Sequence, residues 1–336
     1  MSRFPLTIAC SPYDRMQAPR EGAVQIEGVD LTFVAIESAQ EIFARMVRGH
    51  SFDVAEMSLA HYITMRTRGE LPFIAVPVFP SRVFRHGFVY VNRKSGIRAP
   101  KDLEGRRIGL RDHWHTAAVC IRGLLTDEYG VSFDGVEWVE GGVNGPMPSA
   151  AETEIRPDRP LKLRFAAPPL TLSDMLATGE IDAIIGSTEP RCFGRHPDVL
   201  RLFPDPGAVE RDYYRRTGIF PIMHTLIMPE ALYQRHPWIA ESVYKAMQES
   251  KLIALQGRRQ FGALRYMFPW LAEHVAEIDD LFGGDAFPYG LEANRKPLET
   301  FIGNLAAQGF IPTAVPVEPL FTPIVGQQQR GPRDRH

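Results

Sequence analysis

Cysteine is scarce in this chain of 336 residues. Three occur, Cys10, Cys120 and Cys192. They are far apart, odd in number and without CxxC spacing, which argues against a disulfide framework and against a thiolate zinc site. A surplus of one charge is missing too: 38 Lys and Arg stand against 40 Asp and Glu, for a net charge of -2. The basic residues are scattered, so neither nucleic acid nor an anionic membrane surface is expected as a partner. No apolar run approaches membrane-spanning length. The run at residues 4–10 is too short and too β-like for a signal-peptide core, and no small-residue cleavage site follows, so a cytoplasmic, reduced protein is expected. GxGxxG, P-loop, GxSxG and HExxH patterns are absent, which leaves a nucleotide cofactor, a serine nucleophile and a zinc hydrolase without a sequence anchor. The 44% apolar and 23% charged content is ordinary for a soluble globular protein, and the length suits about two domains.

Strand-like and helical runs alternate along the chain. Residues 6–10, 31–36, 52–55 and 73–79 read as strands, and residues 39–47 as a helix with Ile42, Phe43 and Met46 on one face and Gly49 just past its end. Ser58 is placed to cap the next helix. After a composition break at residues 94–100, a second series begins: strands at 106–110, 136–139 and 181–185, and helices at 116–129 and 172–177. Residues 143–160 read as an exposed excursion, and residues 219–228 as a strand returning to the first series. Helices follow at 238–255, 261–268, 271–281 and 297–308. Such alternation implies α/β architecture with mostly parallel sheets and covered faces. The expected division is one lobe from residues 1–92 and 218–326, a second from 93–217, and a disordered tail at 327–336. An internal echo supports two similar lobes: residues 48–58 and 178–188 each run from a helix end through Gly to an Asp that opens a short apolar strand. Ligands of open α/β sheets bind beyond the strands' carboxyl ends, which here means residues 11–13, 56–58, 111–116, 140–142 and 188–191.

The stretch Pro80-Ser81-Arg82-Val83-Phe84-Arg85-His86 carries two guanidiniums and an imidazole between two apolar runs. Cations there are costly unless an anion compensates them. Arg82 and Arg85 offer planar forks to a carboxylate, and His86 titrates near neutral pH. A solvated surface hairpin is the plain alternative. His224 lies in an apolar strand, where a lone His is more often a satisfied core group; its pairing with His86 on the two crossings between lobes raises its interest. Arg216, beside Tyr213 and Tyr214, reads either as the far wall of an anion pocket or as a solvated turn. His113-Trp114-His115-Thr116 opens a helix, where free amides favour anions, although Thr116 or Asp112 capping that helix is the commoner role. His113 and His115 at i,i+2 are also a loop pair able to chelate a metal, but not from one helical face.

The segments Pro77 to His86, Tyr214 to His224, and Trp270 with Pro288 to Arg295 resemble the 4,5-dihydroxyphthalate decarboxylase family, as do Ser11 to Arg15 and Phe52 to Ser58. The likeness runs from about residue 5 to about 323. It implies a two-lobed fold like that of type II periplasmic binding proteins, each lobe an open mostly parallel sheet flanked by helices, with the ligand cleft between them. It also implies a carboxy-lyase that removes one carboxylate of 4,5-dihydroxyphthalate to give protocatechuate. The segment Asp112-His113-Trp114-His115 departs from the family's pattern, which bears on the exact substrate. Such chemistry needs a base, an acid, and cations on the retained carboxylate. The expected assignment makes His86 and His224 the acid/base pair, with Glu56 orienting one imidazole. Arg82 and Arg85 clamp the carboxylate, with Arg216 in reserve, and Tyr13, Ser58, Arg111, His115 and Thr116 complete the substrate site. No cofactor is expected; a divalent metal on His86, His113, His115 and His224 with the catechol oxygens stays an open alternative. The partner is a small aromatic carboxylate, and a homo-oligomer is compatible with the sequence. A solute-binding component of a transporter is the alternative function; it calls for a signal peptide or a lipid-bearing cysteine, and Cys10 lies in a strand.

Overall fold

The computed structural model describes residues 3–147 and 155–324. In chain order the strands are β1 (Phe4–Cys10), β2 (Val29–Ala35), β3 (Val54–Ser58), β4 (Phe73–Arg82), β5 (Val89–Asn92), β6 (Arg107–Leu110), β7 (Glu137–Glu140), β8 (Lys162–Phe165), β9 (Ala183–Ile185), β10 (Val199–Arg201) and β11 (Ile222–Pro229). The helices are α1 (Gln17–Arg20), α2 (Ala39–Gly49), α3 (Leu59–Thr67), α4 (Thr116–Tyr129), α5 (Leu172–Thr178), α6 (Pro206–Thr217), α7 (Glu230–Arg235), α8 (Trp238–Gly257), α9 (Leu271–Phe282) and α10 (Arg295–Ala307). The first sheet has the order β2-β1-β3-β11-β4 and the second β10-β5-β9-β6-β7-β8. In the first, β2 and β3 run parallel to β1, and β11 is antiparallel to both β3 and β4. In the second, β6 to β9 pair in parallel, while β5 is antiparallel to both its neighbours. The chain is thus α/β with two mixed, mostly parallel sheets, each with its own apolar core.

β5 pairs in the second sheet, so the first crossing lies between Arg82 and Val89, ahead of the expected boundary at 92/93. The two crossings touch: the Val83 amide donates to the Pro221 carbonyl at 3.2 Å, and the Phe84 and Phe220 rings stack with centroids 4.4 Å apart. The internal echo has a physical basis. The Asp53 carboxylate accepts from the Thr7 amide of β1 at 2.8 Å, and the Asp182 carboxylate from the Arg107 amide of β6 at 2.9 Å. Each Asp thereby fixes the strand it opens in register against a parallel neighbour, β3 against β1 and β9 against β6.

Local rules explain most elements. Ser58 caps α3, accepting from the His61 amide, and Gly130 ends α4 at φ +65°. At the end of α2 the expectation shifts by one residue: Gly49 is helical, and His50 takes the left-handed position at φ 45°. α4 is buried at every position from Thr116 to Leu125. A side chain on its Gly123 would collide with Asn304 of α10, so the missing Cβ permits the close approach of these helices.

Two expectations fail. The helix at residues 261–268 is absent; this segment is turn, with Phe261, Leu264, Met267 and Phe268 exposed. Without a face to bury, apolar periodicity does not hold a helix. Conversely, residues 206–217 form α6, where Asp205 accepts from the Ala208 amide ahead of Pro206, a capped start that the polar Tyr-Tyr-Arg-Arg composition conceals. The expected tail at 327–336 and part of the 143–160 excursion lie outside the described residues. Among the described residues no helix is long and apolar enough to cross a membrane.

Candidate active site

β1 and β3 pair side by side, and the centre of the site is a side chain midway along β3. Glu56 is fully buried. The His224 Nδ1 lies 2.6 Å from its Oε1, the Tyr13 hydroxyl donates to the same oxygen at 2.7 Å, and the Ser11 amide donates to Oε2 at 2.9 Å. The Cys10 thiol lies 3.4 Å from Oε2. Burial alone would push the Glu56 carboxyl up; the His224 hydrogen bond and charge, with the Ser11 amide and Tyr13 hydroxyl, overcome that and bring it down to about 2. The same burial and the neighbouring carboxylate push the Tyr13 phenol and the Cys10 thiol up, so both act as donors. With Glu56 ionised, Nδ1 of His224 carries the proton that faces it, and Nε2 is the free ring nitrogen. Phe43 packs edge-on against the imidazole, 5.1 Å between centroids.

β11 brings His224 opposite Ser58 in the β3 register. The Ser58 hydroxyl is 2.9 Å from the Thr116 hydroxyl, which also accepts from the Ala60 amide at 3.0 Å. The first turn of α4 therefore meets the end of β3, tying one sheet to the other. His115 precedes that turn. Its amide donates to Asp112 Oδ1 at 2.9 Å and its Nδ1 lies 2.7 Å from the Asp112 carbonyl. Its Nε2 is buried with no partner and faces Gly186. Burial would raise the Asp112 carboxyl, but His115 and Arg111 hold it well below the usual range. Arg111 donates through Nε to Asp112 at 2.7 Å and is partly open to solvent. Asp112, read from sequence only as a cap, is the anchor of this loop; its position three residues before His115 was the available signal.

The other expected residues go elsewhere. Arg82 is buried and spends its N–H groups on the carbonyls of Phe220 and Pro288 and on Asn294, partners from the far end of the chain. Arg216 is exposed and paired with Asp212 and Glu128, so it is a surface cation rather than a pocket wall. Arg85 and His86 line a hollow between the crossings, α4 and α10 whose wall does not include Glu56, His224 or Tyr13. The four histidines weighed as metal ligands are dispersed: His113 packs edge-on against Trp138, and among the described residues no group of three or more His, Cys, Asp or Glu is arranged to hold a metal ion.

Comparison with known proteins accords with this architecture. The chain is 38% identical over 324 residues to a 4,5-dihydroxyphthalate decarboxylase of Comamonas testosteroni, covering 96% of this chain and 98% of that protein. It is 38% identical over 216 residues to one of Pseudomonas putida, covering 64% of this chain and 83% of that protein. No family model matches. Among solved structures, the periplasmic aliphatic sulphonate binding protein SsuA of Escherichia coli aligns over 96% of this chain and 98% of its own with TM-score 0.55 and 13% identity. A putative sulfonate-binding SsuA of Methylobacillus flagellatus aligns over 96% and 92% with TM-score 0.57 and 13% identity. These likenesses show the fold: a two-lobed α/β chain of the type II periplasmic-binding-protein kind.

Proposed function

Because the chain belongs to the 4,5-dihydroxyphthalate decarboxylase family, we propose that it is a carboxy-lyase converting 4,5-dihydroxyphthalate to protocatechuate and CO2 without an oxidant. Each ring carboxylate of that diacid lies para to a hydroxyl. A base takes the hydroxyl proton, and electron density moves onto the carbon bearing the leaving carboxylate. An acid delivers a proton to that carbon, the bond to the carboxylate breaks, and its electron pair restores the ring as CO2 departs.

The observation that carries this reading is the Glu56–His224 pair, 2.6 Å apart, beside the contact between Ser58 and Thr116. A buried carboxylate that fixes Nδ1 leaves Nε2 directed at a substrate proton. The second acid/base role passes from His86 to His115, which belongs to the facing loop and whose Nε2 is likewise buried and unsatisfied. Both imidazoles then have Nδ1 held by an acceptor and Nε2 free, one on each side of the contact between the sheets. The retained carboxylate takes the outward N–H groups of Arg111 and the unpaired first amides of α4, in place of Arg82. Tyr13 keeps Glu56 in place and Ser58 borders the substrate.

Incubating purified protein with 4,5-dihydroxyphthalate and following CO2 and protocatechuate tests the proposal. Equimolar appearance of both is expected. Tight binding without turnover would favour the solute-binding alternative, and turnover abolished by exhaustive chelation would add a metal that this reading leaves out.

A further inference from the structure

The other two buried guanidiniums among the described residues each donate at least two hydrogen bonds to oxygen, although Arg82 Nε and Arg122 Nη1 have no partner. Arg82 donates to two carbonyls and Asn294; Arg122 donates to Gln308 and the His113 carbonyl. Arg85 differs. It is 6% exposed, forms no ion pair among the described residues, and makes one weak contact, Nε to the Met223 sulfur at 3.2 Å. The Phe88 ring lies 4.9 Å from its guanidinium carbon. A cation so placed is costly unless an anion reaches it.

Arg85 lines an open hollow with His86, Leu124, Tyr213, Ile219 and Phe301. The His86 ring is 1% exposed, and neither of its nitrogens has a partner. Burial and Arg216 hold its imidazole down at about 4, so it is neutral at pH 7 and able to donate or accept one hydrogen bond. Glu210, 3.9 Å from the His86 Nδ1, is occupied by the Gly87 amide. Asp127 is also on the wall, and burial with Glu128 pushes its carboxyl up. One unmatched cation, one neutral imidazole and an apolar, partly aromatic wall define the guest: a single carboxylate on a small apolar body.

We propose that this hollow between the two crossings, α4 and α10 is a second ligand site, distinct from the Glu56–His224 centre, that takes a small apolar monocarboxylate on Arg85 and His86. The site adjoins the Phe84–Phe220 stack, so its occupant sits against both chain crossings. The inference stands whether or not the chain is a decarboxylase.

Benzoate is the probe. By calorimetric titration, the unmodified protein and the His224→Ala variant are expected to bind it with dissociation constants within about threefold of each other. Arg85→Met is expected to bind at least tenfold more weakly, the minimum for losing a desolvated carboxylate–guanidinium contact. Loss of binding in His224→Ala, undiminished binding in Arg85→Met, or no binding to the unmodified protein at millimolar concentration would overturn the proposal. Should Arg85→Met fail to fold, crystals of the unmodified protein grown with 4-bromobenzoate decide: an anomalous bromine peak in the hollow is expected, and a peak only beside Glu56 and His224, or none, overturns it.

Discussion

Two imidazoles lie near the crossings between the lobes, His224 half-buried and His86 buried, and their surroundings are opposite. His224 has a carboxylate at 2.6 Å that is itself held by a phenol and an amide. His86 has aromatic edges from Phe203 and Tyr213 and no hydrogen-bond partner. A carboxylate partner fixes the tautomer and stabilises the imidazolium that a proton transfer creates. A ring without such a partner stays neutral and passive. The first site carries its own negative charge; the second presents the uncompensated positive charge of Arg85. Two histidines alike in sequence setting are thereby suited to different work, one to proton transfer and the other to holding a guest.

The sharpest way to break this contrast is to compare rates. His224→Ala should lower kcat towards the upper end of the roughly 10²- to 10⁴-fold range for one acid–base group, while His86→Gln should cost at least tenfold less; equal losses in decarboxylation assays would merge the two sites. Glu56→Gln should lower kcat by roughly 10²-fold with little change in KM. Glu56→Asp, which keeps a carboxylate beside the imidazole, should recover part of that loss; no recovery in a variant that folds normally would reduce Glu56 to a structural role.

The contrast also has a signature in stability. His86 titrates near 6.5 when unfolded and near 4 when folded. Between those values the unfolded chain binds the proton more tightly, so stability is fully present above pH 6.5 and declines as pH falls towards 4. The decline amounts to at most about 3 kcal/mol, less whatever ionised Glu210 returns. Denaturant titrations across this window should show His86→Gln flattening the slope. The smallest effect is expected at Arg216: Arg216→Ala removes exposed, solvent-screened ion pairs to Asp212 and Glu128 and should leave the denaturation midpoint nearly unchanged.

Much of the architecture was legible in the sequence because local rules dictate it. Apolar runs of strand length, the Ser58 cap, Gly130 after α4 and the paired Asp53 and Asp182 each act within a few residues or a single strand pairing. Glu56, His224 and Tyr13 were each marked in the sequence, but Tyr13 as a substrate contact and not as the donor to Glu56 that it is. The division of the arginines was not. Successive residues of a strand face opposite sides; Arg85 reaches Met223 while Glu56 reaches His224, a difference of one position that composition does not reveal. Arg82 donates to Pro288 and Asn294, more than 200 residues away, and nothing near Arg82 announces those partners. The missing helix at 261–268 and the unexpected α6 have the same lesson: periodicity says which face is apolar, and tertiary contacts decide whether that face is used.

The bond between Val83 and Pro221 and the flat stack of Phe84 on Phe220 make the two crossings a single braid. A braid of that kind permits the halves to rock about one line and resists sliding them past each other. A guest that enters between the sheets by such a swing has first to break the Ser58–Thr116 contact. That pivot is the natural place to set how wide, and how often, the molecule opens.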